Sequence, residues 1–139
     1  MSSIDYRLLM TMGDSSFYHP TGDPKIQEKI AEIWKNLTNN STPKFEMITV
    51  AQGRMLPCPK AAKNVVEFHF DDLCKEPRSA ADFQAIGERF HTVILRAVPR
   101  MSMRRRDWLR RFILLIDTLY YMHRNVVVEA DSALEDLFD

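Results

Sequence analysis

The stretch from residue 92 to residue 130 constrains the fold most. Thr92–Val98 is a compact β-branched run closed by Pro99. Trp108–His123 follows with an amphipathic helical pattern, placing Leu109, Phe112, Ile113, Ile116, Leu119 and Tyr120 on its inner side. Asn125–Ala130 is a second buried β-type run. Strand, helix, strand is a βαβ unit, whose right-handed crossover makes the two strands parallel. Parallel strands need helices on both faces and usually more than two strands. One clear covering helix stands here, so the stretch reads as part of a larger sheet.

The first half supplies other elements. Ile4–Met12 is a short apolar opening that reads as a strand, and Thr11–Pro24 reads as a loop rich in Gly, Pro, Asp and Ser. Asp23 before Pro24 predicts a helix start, with a capping oxygen and then a ring preset for the first turn. Ile26, Ile30, Ile33, Trp34 and Leu37 form its apolar stripe, and the polar residues Thr38–Pro43 end it. Phe45–Val50 and Val65–Phe70 are expected as strands or hairpin partners, with Gly53 at a turn and Pro57 and Pro59 restricting what lies between. Val66, Phe68 and Phe70 share one face, and Val65, Glu67 and His69 the other. After a connector at Asp71–Arg78, Ser79 and Asp82 resemble a capping box, and Phe83, Ile86 and Phe90 continue on a helical face. Ser132–Glu135 is expected to cap a last short helix.

The expected class is therefore α/β: a C-terminal βαβ unit over residues 76–139, continuous with a helix and β-hairpin region over residues 1–75, as one incomplete domain. A hydrophobic content of 45% suits a globular chain, and a net charge of zero gives no global pull toward nucleic acid or an anionic membrane. Cys58 and Cys74 form no C-x-x-C pair and read as reduced thiols of a reducing compartment. No apolar run reaches the ~18 residues of a membrane span. No signal or transit peptide is read at the start.

The motifs exclude more chemistry than they supply. A phosphate loop needs G-x-x-x-x-G-K-[ST], and none of Gly13, Gly22, Gly53 and Gly87 is followed by lysine. Magnesium beside such a loop takes an acid at the end of an apolar strand, whereas Val93-Ile94-Leu95 runs into Arg96 and Ala97. His69, Asp71 and Asp72 stand together, and strand alternation would put His69 and Asp71 on one face as a weak metal pair without a third ligand. A solvated strand end is the plainer account. His19, His91 and His123 have no acid or thiol partner at motif spacing.

The sharpest local feature is a run of arginines. Arg96, Arg100, Arg104, Arg105, Arg106, Arg110 and Arg111 are opposed within the run only by Asp107. Such a patch beside Trp108 could meet an acidic protein, nucleic acid or anionic lipid. The plain alternative is a solvated helix start, partly neutralised by Glu129, Asp131, Glu135, Asp136 and Asp139. Cations at a helix N-terminus oppose its dipole by a few tenths of a kcal/mol each, which argues against decoration. Arg100, Arg104, Arg105, Arg106, Arg110 and Arg111 are the candidate interaction surface.

Four ordered stretches carry a family resemblance. They are Asp5-Tyr6-Arg7, then Gly53–Pro57, then Phe70–Cys74 with Arg78–Phe83, and last Arg89–Thr92 through Arg111–Tyr120. Together they resemble the C-terminal half of the AFG-one-like ATPases, called ZapE in bacteria, which are AAA+-type P-loop ATPases. The resemblance implies that this chain is part of a P-loop-ATPase-like module. It implies a parent that binds ATP and magnesium and hydrolyses ATP. The Walker A loop and Walker B acids of that family lie N-terminal to the part resembled here. No catalytic, cofactor-binding or metal residue is therefore assigned in this chain, which is expected to be inactive alone and to need no cofactor. The implied partners are the rest of the ATPase domain and protein substrates, with oligomers formed through other parts and no nucleic acid expected. Mitochondrial members imply a mitochondrial location and protein quality control, and bacterial ones imply cell division. The chain departs from the family near Arg96 and Arg100–Arg106, where members often carry acidic or neutral residues. A stand-alone interaction module using the arginine-rich helix face is the alternative reading.

Overall fold

The computed structural model describes residues 17–138. The expected strand at Ile4–Met12 and the Asp5-Tyr6-Arg7 stretch lie outside them. A six-stranded sheet runs β1 (Phe17–Tyr18), β6 (Asn125–Ala130), β5 (Thr92–Val98), β4 (Val65–His69), β3 (Met55–Ala62), β2 (Lys44–Thr49) from edge to edge. The pairs β1–β6, β6–β5 and β5–β4 are parallel, and β4–β3 and β3–β2 are antiparallel. Among the described residues three α-helices cover the sheet: α1 (Pro24–Thr38), α2 (Ala80–Arg89) and α3 (Arg106–Tyr121). The expected βαβ unit is present, and a second one, β4–α2–β5, precedes it.

Strand alternation decides which side chain meets which helix. Val66, Phe68, Val93, Leu95 and Val128 join the core with α2 and α3, while Val65, Ile94 and Val127 pack with Ile30 and Trp34 of α1. The sheet is thus covered on both faces, and the shortage of helices read from residues 92 to 130 is corrected. The second face is covered by α1, which the chain builds before any of these three strands. That helix begins as its sequence dictates: Asp23 Oδ1 accepts from the Lys25 backbone N–H at 2.9 Å, and Pro24 opens the first turn. Asn39, at φ 54°, closes it in the left-handed conformation. Of the expected stripe, Leu37 faces solvent, and Thr38 is buried instead, its hydroxyl donating to Trp34 O at 2.7 Å.

Two further expectations change. The partner of β2 is β3, which passes through Pro57 and Pro59, and not Val65–Phe70. Proline removes a ladder donor, so it suits strand segments with a neighbour on one side only. Within β3, only Lys60–Ala62 pair with β4, leaving both prolines beyond its register. Tyr120 is 56% exposed, so it leaves the inner face of α3, where Leu115 is buried. Leu115 lies three residues past Phe112 and four before Leu119, which puts it in the middle of the buried stripe.

Asp82 is the polar anchor of α2. It is buried, its carboxylate accepts from Ser79 N at 2.8 Å and from Ser79 Oγ at 3.0 Å, and it takes both Arg54 guanidinium nitrogens at 3.1 and 3.2 Å. The expected capping box therefore also clamps the β2–β3 turn onto α2. Burial pushes this carboxyl up, but the Arg54 and Ser79 bonds outweigh burial and hold it below the usual range. Replacing Asp82 by asparagine is expected to destabilise the fold by about 1–3 kcal/mol, the range for leaving a buried polar group short of its hydrogen-bond partners. Urea midpoints at neutral pH check it. At the far end of α2, Gly87 permits close packing, because an added Cβ would lie 2.5 Å from Met122 Sδ.

Candidate interaction surface

In open α/β sheets, ligands meet the carboxyl ends of the parallel strands. Here four segments leave those ends: the turn Asp71–Lys75 after β4, residues 99–105 after β5, residues 131–138 after β6, and residues 19–23 after β1. The first does not extend the strand. His69 is its last residue, and the chain turns helical at Phe70, so strand alternation does not carry on to Asp71. The side chains fold the turn. His69 N–H donates to Asp72 Oδ2 at 3.4 Å, Asp71 N–H donates to His69 Nδ1 at 3.1 Å, and Lys75 sits 3.1 Å from Asp71. The expected cap from Ser132 is not formed. Ala133 precedes the short 3-10 helix Leu134–Asp136, and the Ser132 hydroxyl donates instead to Ala133 O at 3.4 Å.

Below the crest lies a row of alternating charge on the α1 side of four adjacent strands: Lys60, Glu67, Arg96 and Glu129. Lys60 is 3.3 Å from Glu67, Arg96 is 3.5 Å from Glu67, and Arg96 Nε donates to Glu129 at 3.0 Å. Gln27 of α1 bridges the row, donating to Glu129 and accepting from Arg96. Residue 97 makes this possible. The β5–β6 register slips between Leu95 and Val98, with Ala97 at φ 61°. This bulge returns Val98 to the α2–α3 core and frees the Ala97 N–H to donate to Glu129 Oε1 at 3.0 Å. The Glu129 side chain is 2% exposed. Burial pushes its carboxyl up, and the bonds from Arg96, Ala97 and Gln27 outweigh that and hold it low. Glu129 is therefore the internal partner of Arg96, not a neutraliser of the outer arginines. Strand parity held the signal: Arg96 and Glu129 each follow a residue facing α2 and α3.

The other arginines separate into two groups. Arg111 turns inward and donates to Cys74 O at 3.0 Å, tying α3 to the turn after β4. Arg105 lies 3.9 Å over the Trp108 ring and 3.3 Å from Asp107, which also faces Arg111 at 3.8 Å. Lys75 reaches the same ring at 4.3 Å, and Phe70 meets it edge-on. Arg100 is exposed and has a partner. Arg104, Arg106 and Arg110 stand exposed, with no carboxylate paired to them among the described residues. Beside them Met103 is 48% exposed. Residues 131–138 fold back along the same edge, since Met101 N–H donates to Leu137 O at 2.8 Å and Met101 bridges Phe138 in parallel. Glu135 and Asp136 of that segment are exposed and make no ion pair with these arginines.

Comparison with known proteins adds to this geometry. A family profile described as AFG1-like ATPase matches residues 1–139. The chain belongs to the AFG1-like ATPase family. It is 28% identical over 134 residues to an uncharacterised Schizosaccharomyces pombe protein, covering 96% of this chain and 30% of that one. To zebrafish (Danio rerio) lactation elevated protein 1 homolog B it is 29% identical, covering 99% of this chain and 28% of the relative. To Escherichia coli cell division protein ZapE it is 27% identical, covering 99% and 36%. The chain therefore spans about a third of each relative's length. No solved structure matches it.

For an AFG1-like ATPase, the nucleotide and magnesium are the implied ligands, and the residues described here do not fit them. No sequence with the spacing of a phosphate loop exists in the chain. The carboxyl end of β5 presents a guanidinium already neutralised by Glu129 and Glu67. Among the described residues, no three of His, Cys, Asp and Glu converge as cation ligands. Nucleophilic chemistry has no better footing. Cys58 is pushed up to about 11, by burial first and Glu46 second, and burial pushes Cys74 still higher, so both thiols stay protonated at neutral pH. No helix of the described residues is long and apolar enough to cross a membrane.

Proposed function

We propose that this chain is the C-terminal segment of an ATP-hydrolysing protein whose nucleotide chemistry is performed by sequence outside the 139 residues. The observation that carries the proposal is the family match over residues 1–139, combined with coverage of only 28–36% of the relatives. In this reading ATP and magnesium belong to the parent. Residues 1–75 and 76–139 are continuous parts of one P-loop-ATPase-like module, and the first partner of this segment is the rest of the ATPase domain. A mitochondrial location and a task in protein quality control follow from the resemblance to the AFG-one-like members. This segment contributes a sheet covered on both faces and a charged crest, and no step of hydrolysis.

The purified 139-residue chain is expected to release no phosphate from ATP above a protein-free blank, with or without magnesium. A parent of the relatives' length is expected to hydrolyse ATP only with magnesium. Phosphate release by the short chain that co-purifies with it through successive columns would sink the proposal.

A further inference from the structure

We propose that Arg104, Arg106 and Arg110, with Met103, form a docking surface for a short acidic peptide segment of another protein, one that interleaves carboxylates with an apolar residue. The inference stands apart from the ATPase reading, since its test measures peptide binding and needs no nucleotide.

Three observations support it. The first is uncompensated charge. Arg106 and Arg110 are four residues apart on α3, so their guanidinium groups share a face and repel. Arg104 and Arg106 also crowd the positive end of the α3 dipole. Asp107, the acidic residue of that first turn, is already shared by Arg105 and Arg111. A surface that costs stability and finds no carboxylate partner among the described residues is where a sequence departs from local rules for the sake of function.

The second observation is the rigid frame. Arg105 and Lys75 both stack on Trp108, and Trp108 leans on Phe70. The Trp108 indole N–H finds no acceptor among the described residues. The exposed arginines therefore project from a packed helix start, so the backbone that carries them needs no ordering when a carboxylate arrives. Met103, 48% exposed, offers an apolar contact in the same turn.

The third observation selects the partner. Glu135 and Asp136 are exposed on the segment that Met101 holds against this edge. They repel a long polyanion or a flat anionic surface laid across both segments, at a range of about 8 Å at physiological salt. A short peptide that places its carboxylates on Arg104, Arg106 and Arg110 avoids that repulsion. A net charge of zero also gives a duplex or a bilayer no general attraction.

The test is fluorescence anisotropy of a fluorescein-labelled peptide of Asp and Glu interspersed with Leu. It is titrated with the 139-residue chain and, in parallel, with the longer parent. Binding is expected to weaken as salt rises. The triple variant Arg104→Gln, Arg106→Gln, Arg110→Gln is expected to lose about tenfold or more in affinity. Its melting temperature should be unchanged or higher, because repulsion is relieved. A control carrying Lys29→Gln and Lys35→Gln on α1 should bind like the unmodified chain. Equal binding by the triple variant overturns the proposal. So does displacement of the peptide by phosphatidylserine vesicles or duplex DNA at lower concentration than by unlabelled peptide, because the surface would then read polyanions.

Discussion

Replacing Arg96 by alanine is expected to destabilise the fold by about 3–5 kcal/mol, the range for removing one partner of a buried ion pair. The reason is what remains. Glu129, with its side chain 2% exposed, would keep only the Ala97 N–H and Gln27 as donors in a site built around a guanidinium. Replacing both members by apolar residues, Arg96→Met with Glu129→Leu, removes the stranded charge and is expected to recover most of the loss. Equilibrium urea unfolding of the single and double variants measures this. If Arg96→Ala cost less than about 1 kcal/mol, the range of exposed pairs, the row would be a surface feature.

The same pair sets a pH signature. The folded-state values of Glu129 and Asp82 both lie below their ordinary 4.5 and 3.8. Groups depressed on folding contribute stability that is fully present above those ordinary values and is lost as pH falls through the lower folded ones. Wild-type stability should therefore hold at neutral pH and decline below about pH 4.5. In Arg96→Ala the sign reverses at residue 129, because burial without the cation raises that carboxyl. The gap between wild type and variant should be widest near neutrality and narrow in acid.

The second large effect is expected at Phe112. Its ring is fully buried, 6.3 Å from Phe70 and 6.0 Å from Phe138. Truncation to alanine opens a cavity where α3 meets the turn after β4 and the C-terminal segment, at a cost of about 3–5 kcal/mol. The loss should also be local. Phe138 seats residues 134–138 against α3, so amide exchange there, including at Leu137, should rise more than in β4 or β5. Urea unfolding gives the first quantity and hydrogen exchange the second. Uniform acceleration across the sheet would show that the C-terminal segment does not depend on this contact.

How much of this was legible depended on how local each cause is. The α1 start at Asp23-Pro24, the Ser79–Asp82 box, β5, β6 and the helix between them are written in neighbouring residues, and each is present. The missed strand β3 shows the opposite case. Pro57 and Pro59 argue against a strand until it is known that β4 ends its pairing before them. The arginine run behaved in the same way. Its spacing announced a charged helix start, but spacing could not tell Arg111, bound to Cys74 O, or Arg96, bound to Glu129, from Arg106 and Arg110 in solvent.

By itself the sequence determined that the chain is α/β, with a parallel βαβ unit, no phosphate loop and a concentration of arginine before one helix. Periodicity, capping and composition act over a few residues, and these conclusions need nothing longer. Only the tertiary structure decided that α1 covers the second face, that a bulge at Ala97 lets Arg96 and Ala97 enclose the Glu129 carboxylate, and that three arginines have no carboxylate partner among the described residues. Those outcomes depend on pairings between residues many tens of positions apart, such as Gln27 with Glu129 and Arg54 with Asp82. Such pairings are set by strand register and helix docking, which no local pattern encodes.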